Sequence, residues 1–404
     1  MLFKYRLFVV GLLILLLAGA TTLHARVNGR TKARAHSAKK QEGNVWYFAV
    51  SGDSRDCGDL IMPKIARSIR NRRATTPVQF YWHLGDLRAN YRIDCDIAKR
   101  ANPAFNCLPE KRNPNEITAA EKRRYLKIAW ADFIQNQARP FARNGVQFFL
   151  GMGNHELGTF RLGGGVEKTF TRDEFRLTFR PWLAQSRIER QRRADRRRGI
   201  SSRSGDTFYH FVRGGVDFIY LDNADANVGF SGEQIEWLSK ILAADAADKS
   251  VRTIVVGMHA ALPRSSSRGH AMDATCPSLC SGTTVYDMLQ RAQESKHVYV
   301  FASHSHFFEE DIYNTEEHAG KVLPGWIIGT GGAEQYRDKI MYGYLQVGVR
   351  SDGTLDTKFV EVTRADPPQA AGTGAEQLTD FCFESNKKPS TDITAKDCHC
   401  STPQ

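Results

Sequence analysis

The chain has 404 residues, enough for one large domain or two ordinary ones. With 41% hydrophobic and 25% charged residues it can bury a sizeable core, which excludes wholesale disorder. The net charge of +12 points to an anionic partner only until it is located: setting aside eight Lys/Arg in residues 1–41, and seven Arg with Glu189 and Asp195 in the stretch Arg187–Arg198, leaves 41 basic and 42 acidic residues, so the body is neutral and no nucleic-acid partner is expected.

At the N-terminus, Lys4 and Arg6 precede an uncharged run, Leu7–Ala25, followed within it by the small-x-small pattern Ala18-Gly19-Ala20. Residues 1–25 read as a signal peptide or as an uncleaved membrane anchor, since this run is just long enough to cross a bilayer. Residues 26–41, rich in Arg, Lys, Ala and Ser, read as a basic linker. The expectation is an exported protein, periplasmic or extracellular, tethered to the membrane through its N-terminus if the anchor is retained. Eight cysteines form an even set that fits export with disulfides. Cys276 and Cys280 are spaced for a loop staple, and Cys57 has Cys95 or Cys107 as candidate partners. Zinc at Cys382, Cys398, His399 and Cys400 is disfavoured, because adjacent Cys-His-Cys is poor ligand spacing.

From residue 45 onward one pattern recurs: a short apolar run stops at a small residue, then Asp, Asn or His follows. Val45–Val50 leads to Gly52-Asp53, Val78–Leu84 to Gly85-Asp86, and Val146–Leu150 to Gly153-Asn154-His155. Thr253–Val256 leads to His259 and Val298–Phe301 to His304-Ser305-His306. Phe218–Leu221 before Asp222-Asn223 and Gly325–Ile328 before Gly329 have the same form. Such runs suit strands buried on both faces of an α/β protein, with Ala119–Arg139 and Glu233–Ala247 as intervening helices. Ligand sites in open α/β sheets lie beyond the carboxyl ends of the strands, so these residues are delivered to one rim. Tyr342–Val349 and Thr357–Val362 read as a hairpin, and the Pro-, Gly- and Ala-rich stretch after Arg364 as a linker to a short cysteine-bearing tail, residues 365–404.

Two carboxylates, an Asn carbonyl and three imidazoles are a mixed oxygen and nitrogen donor set suited to Zn, Mn or Fe. The set is too large for one tetrahedral ion and about right for two sharing a carboxylate. In order and type, Gly52-Asp53-Ser54-Arg55, Gly85-Asp86, Gly153-Asn154-His155-Glu156, Gly257-Met258-His259 and Ser303-His304-Ser305-His306 resemble the calcineurin-like metallophosphoesterase superfamily, which includes the purple acid phosphatases. The resemblance covers Val45 to Val362 and implies one such domain over residues 42–364, with a two-sheet β-sandwich flanked by helices. It implies that Asp53 and His306 hold a first ion, that Asp86 bridges, and that Asn154, His259 and His304 hold a second. His155 matches the histidine that acts on the leaving group or the phosphate. The activity implied is hydrolysis of phosphate esters by metal-bound hydroxide, on monoesters or diesters; a binding or scaffold protein that kept the fold is the alternative.

One position departs from the family, which has Asp-x-His where this chain has Asp53-Ser54-Arg55. A guanidinium has no lone pair for a metal. Arg55 is expected either to clamp phosphate as part of the catalytic machinery or to serve as an ion-pair partner. The purple acid branch places a Tyr three residues after its bridging Asp; here that residue is Ala89, with Tyr91 two further on. His83 and His210 lie inside strand-like runs and read as structural, His270 as an ordinary loop residue, and Asp222-Asn223 as a turn. Gly163-Gly164-Gly165 lacks the Lys-Ser/Thr of a phosphate loop and reads as a flexible turn; Arg187–Arg198 reads as a solvated helix or loop.

Overall fold

The computed structural model describes residues 45–108, 117–267, 269–372 and 374–388. The expected signal or anchor, the basic linker, and Cys398, His399 and Cys400 lie outside these residues. In chain order the strands are β1 (Trp46–Ser51), β2 (Val78–His83), β3 (Gln147–Leu150), β4 (Thr159–Gly163), β5 (Val166–Thr169), β6 (Tyr209–Arg213) and β7 (Val216–Leu221). They continue with β8 (Thr253–Met258), β9 (His297–Ala302), β10 (Phe308–Glu310), β11 (Gly325–Ile328), β12 (Tyr342–Val349) and β13 (Leu355–Val362). The helices are α1 (Gly58–Asn71), α2 (Cys95–Ala101), α3 (Ala119–Phe133), α4 (Arg139–Arg143), α5 (Arg172–Leu183), α6 (Ser186–Arg196), α7 (Gly232–Ala247), α8 (Ser278–Gln293) and α9 (Ala375–Asp380).

One sheet has the order β13-β12-β1-β2-β3 and the other β10-β11-β9-β8-β7-β6. Both are parallel at the centre, through β1-β2-β3 and β7-β8-β9-β11, and antiparallel at the edges. The two sheets meet through aromatic side chains, which bury large areas and prefer edge-on or offset contacts. Phe48 meets Phe218 edge-on at 5.0 Å, Phe80 meets Phe218 at 5.1 Å, and Phe149 stacks on Phe211 at 4.4 Å. Trp82 Nε1 donates to Tyr209 Oη, which donates to the Leu150 carbonyl, so the polar atoms of this layer are satisfied. On the outer faces, α1 buries Leu60, Ile61, Ile65 and Ile69, while Trp237, Leu238 and Ile241 of α7 pack in one cluster with Ile219 of β7 and Ile254 of β8. The fold is thus an α/β, two-sheet sandwich flanked by helices.

Several elements differ from the sequence expectation. The expected helix Ala119–Arg139 ends at Phe133, passes through a π-turn at Ile134–Ala138, and resumes as α4 with Pro140 in its first turn. Proline suits a first turn, where the missing N–H would be unpaired anyway. α1 escapes sequence reading because Pro63 lies inside it, a residue that normally breaks helices. Gly163–Gly165 form the tip of the β4–β5 hairpin, all three at positive φ. The arginine-rich stretch, expected as a solvated helix or loop, is mostly the helix α6 and is not wholly solvated: Ile188, Arg192 and Asp195 are buried. Among the described residues no helix is long and apolar enough to cross a membrane.

The disulfides correct one expectation. Cys57 pairs with neither Cys95 nor Cys107, which bond to each other; it bonds to Cys382 across 325 residues, while Cys276–Cys280 forms the loop staple. Spacing carries no information on a contact this distant. The C-terminal segment up to residue 388 is accordingly fastened to the domain: α9 ends in a π-turn, Phe381–Ser385, that buries Cys382 against the start of α1. Asn386 Nδ2 then donates to Tyr342 Oη and to the Gly332 carbonyl. With Cys382 in a disulfide, the zinc alternative loses one of its four ligands. Closing so long a loop restricts the unfolded chain strongly, so Cys57→Ser/Cys382→Ser is expected to lose about 2–4 kcal/mol of stability. Denaturant unfolding without reductant checks this, and an unchanged midpoint would show that the link contributes nothing.

Candidate metal centre

The carboxyl ends of β1, β2, β3, β8 and β9 converge, and the turns that follow them carry the sequence-predicted residues. Asp53, Asp86 and His304 have φ of 59°, 59° and 66°, a left-handed conformation that ordinary residues rarely adopt and that clusters at functional sites. The turns interlock. Gly85, at φ 107°, leaves no room for a side chain: a Cβ would lie 2.5 Å from the Gly153 nitrogen. A Cβ on Gly153 would in turn lie 2.3 Å from Asp86 Oδ1. Only glycines allow the Asp86 and Asn154 turns to approach this closely.

Each carboxylate has one oxygen fixed by a backbone N–H. His304 N donates to Asp53 Oδ2 at 2.8 Å, and His155 N donates to Asp86 Oδ1 at 3.0 Å. The other oxygens, Asp53 Oδ1 and Asp86 Oδ2, are buried with no hydrogen-bond partner. Burial alone would raise both carboxyls; the polar and charged groups around them nevertheless keep Asp53 below its ordinary pKa and Asp86, near His155, His259 and Arg55, well below. Buried, ionised, unpaired oxygens of this kind call for a cation.

Two overlapping groups of candidate ligand atoms share Asp86. A first position is framed by Asp53, Asp86 and His306, a second by Asp86, His259 and His304. At the second, His259 Nε2 lies 2.8 Å from Asn154 Oδ1, 3.1 Å from His304 Nδ1 and 3.3 Å from Asp86 Oδ1. His259 Nδ1 lies 3.1 Å from Ser303 Oγ and 3.2 Å from the Leu84 carbonyl; the hydroxyl donates to that same carbonyl, so Nδ1 carries a proton and Nε2 is the nitrogen turned to the cluster. Four such atoms this close repel one another unless a proton or a metal ion lies among them, and separations near 3 Å are those of neighbouring ligands bound at about 2.1 Å. The second position fits a metal ion. Burial would lower the His259 pKa, yet Asp86, Asp53 and Glu156 push it up to about 9, so without an ion Nε2 holds a proton that a metal would displace.

The first position is different. Arg55, 4% exposed, places Nη2 at 2.9 Å from His306 Nε2 and Nη1 at 2.6 Å from His155 Nε2. His306 Nδ1 donates to the Glu334 carbonyl at 2.7 Å and His155 Nδ1 to the Ala89 carbonyl at 2.6 Å. Both Nε2 atoms are therefore lone pairs that accept from the guanidinium. Of the two sequence alternatives for Arg55, an ion pair with a carboxylate is not what the geometry gives; its partners are imidazoles. Tyr91 lies against His155, with ring centres 5.0 Å apart, and Tyr336 stacks on His306 at 4.3 Å.

Sequence reasoning missed the groups that hold these ligands. Glu156 accepts from the backbone N–H of Asp86, Leu87 and Gly153 and so locks the two interlocked turns; burial and the nearby Asp86 push its pKa up to about 8. Asn223, expected as a plain turn residue, also accepts from the N–H of His259 and Ala260. Its neighbour Asp222 pairs with Arg172, and its backbone N–H donates to Gln234 Oε1. His270, expected as an ordinary loop residue, is buried with its ring 5.3 Å from His304 and 5.1 Å from Tyr336. His83 and His210 are structural, as expected. His83 lies 2.9 Å from Ser54 Oγ, and burial pushes its pKa down to about 3. His210 is held between Asp195 and Asp217, which outweigh its burial and push it up to about 10. Beside the centre a cleft of 640 Å³ opens, lined by Tyr91, Asn154, His155, Arg161 and Glu167 among others. The β4–β5 hairpin forms one wall, opposite the turn Ala224–Asn227.

No protein-family model matches the chain, and no curated protein matches its sequence. Solved structures do match it. A dimetal phosphatase from Danio rerio is 14% identical over 78% of this chain and 96% of that one, with a TM-score of 0.46. A purple acid phosphatase from yellow lupin (Lupinus luteus) seeds is 14% identical over 78% of this chain and 51% of that one, with a TM-score of 0.49. GAP50, the anchor in the inner membrane complex of Plasmodium, is 14% identical over 89% of this chain and 95% of that one, with a TM-score of 0.41. The architecture that the sequence motifs imply, two sheets delivering their ligands to one rim, is the architecture of this chain.

Proposed function

We propose that the protein is a metal-dependent hydrolase of phosphate esters, exported and acting at the rim of its two sheets. The observation that carries this reading is the convergence of Asp86 Oδ1, Asn154 Oδ1, His259 Nε2 and His304 Nδ1 on one point. This mixed set suits Zn, Mn or Fe in the divalent or trivalent state. An ion held there supplies Lewis-acid polarisation of a phosphoryl oxygen and lowers the pKa of water toward 7.

The residues of the chain do the rest. Asp86 balances charge between the two positions, and Glu156 and Asn223 hold Asp86 and His259 in place through their backbone N–H groups. Arg55 has further N–H groups on a buried guanidinium whose planar fork matches phosphate oxygens. His155 faces the cleft, where a leaving group fits; its Nε2 accepts from Arg55, so it draws a proton toward itself rather than presenting one. The three disulfides support the exported location, since such bonds persist in oxidising compartments.

Metal removal tests the reading. The purified protein is expected to hydrolyse p-nitrophenyl phosphate or its bis-ester, to lose that activity with a chelator, and to regain it with Mn or Zn. The ratio of the two rates assigns monoesterase or diesterase. Bound metal with no turnover of either ester, or of alkyl phosphates, would leave a binding protein that kept the fold.

A further inference from the structure

We infer that Arg55 takes the place of the first metal ion, so that the centre binds a single divalent ion at the second position and the guanidinium supplies the other positive charge. This rests on the metal-centre reading above and departs from the two-ion expectation of the sequence motifs.

His306 Nδ1 lies 2.7 Å from the Glu334 carbonyl, an acceptor, so Nδ1 holds the proton and Nε2 has only a lone pair. Arg55 Nη2 is 2.9 Å from that lone pair, and arginine can only donate. The one nitrogen donor of the first position is therefore already used. The second Nη caps His155 in the same way, at 2.6 Å. An ion seeking His306 Nε2 would have to displace a guanidinium hydrogen and then remain beside a like charge.

The arginine is not placed to swing aside. Its carbonyl accepts from Cys57 N at 2.8 Å, and Cys57 is disulfide-bonded to Cys382. Asp56, between the two, donates its N–H to Asp94 Oδ1 and pairs its carboxylate with Arg92, and on the other flank Ser54 N donates to the Asp86 carbonyl. The guanidinium itself is closed off from water at 4% exposure. Charge balance agrees. Asp53 and Asp86 supply two negative charges; a single divalent ion with Arg55 leaves one net positive charge for phosphate, whereas a second divalent ion would leave three.

The experiment counts ions without using turnover. Full-length protein, stripped of metal and dialysed against Mn(II), is analysed by mass spectrometric metal content and by electron paramagnetic resonance. The expected result is a single Mn(II) per chain with an uncoupled six-line spectrum. Arg55→His restores the family ligand and is expected to double the metal content, with spin coupling between the two ions. Arg55→Met, which removes the charge without adding a ligand, guards against a folding defect in the first variant and is expected to bind a second ion weakly. A coupled pair of ions in the unaltered protein overturns the inference while leaving the metal-centre reading intact. A single ion in all three proteins overturns the role given to Arg55, and absence of bound Mn(II) from the unaltered protein overturns both.

Discussion

Asp86→Asn is expected to lower turnover by at least about 10³-fold, on the order of 4 kcal/mol of transition-state stabilisation, and to release bound metal. The substitution is chosen to remove charge and little else. Asparagine is among the few residues that tolerate the left-handed backbone at φ 59°, and its amide oxygen can still accept from His155 N. What changes is the charge and the second oxygen: Oδ2, which has no hydrogen-bond partner, becomes an NH₂ group, while the oxygen near His259 stays a neutral amide oxygen. Both candidate positions lose their shared negative ligand at once. Burial opposes the Asp86 charge, but His155, His259 and Arg55 outweigh it and hold the carboxyl well below its ordinary pKa, so the charge contributes stability to the metal-free protein at neutral pH. The metal-free variant is therefore expected to keep its fold and to unfold at a somewhat lower temperature than the metal-free unaltered chain. Turnover, metal content and thermal unfolding together check this. Normal turnover would defeat the assignment of Asp86, and a large fall in stability would mean that its role is structural.

How much of this was legible in the sequence follows from the length scale of each contact. The strand ends were legible because strands buried on both faces are continuous apolar runs, and the residue after each run must turn; Asp53, Asp86, Asn154, His259 and His304 all fall there. Arg55 was legible as a departure from the motif, but not its contacts: nothing local says that one guanidinium would span His155 and His306, 100 and 251 residues away. Glu156 stood in plain view beside His155, yet its work is to accept three backbone N–H groups, a task that leaves no pattern in the sequence. The Cys57–Cys382 bond was invisible for the same reason, and α1 was hidden by Pro63, whose local cost is overridden by burial of the helix's apolar face.

Arg88 lies two residues beyond Asp86 and was given no role by the motifs, yet its loss is expected to cost more stability than any other single change discussed. Its guanidinium is fully buried and pairs with Asp59 at 2.6 Å, with Asp96 at 2.8 Å and with Asp132. These carboxylates belong to the first turns of α1 and α2 and to the end of α3, so one side chain fastens three helices beside the turn that carries Asp86. Arg100 also reaches Asp59 and Asp132, but it is 42% exposed and does not touch Asp96 within ion-pair distance. Arg88→Met fills similar volume and leaves three carboxylates converging on an apolar chain. Breaking a buried pair from one side costs about 3–5 kcal/mol, because the remaining charge stays desolvated. The sign of the pH dependence separates charge from packing. Burial already pushes the Asp132 carboxyl up to about 6 and raises Asp96 well above its ordinary value even with Arg88 present. Without Arg88 the folded-state values rise further above those of the unfolded chain. Such groups impose no penalty below the unfolded pKa, near 4, and one that grows as the pH rises from there and is complete above the folded values. The deficit of Arg88→Met is therefore expected to be larger at pH 8 than at pH 5, measured by urea unfolding with the disulfides intact, and Arg88→Lys is expected to recover part of it at pH 8. Equal deficits at both pH values would mean that Arg88 stabilises this corner by packing alone.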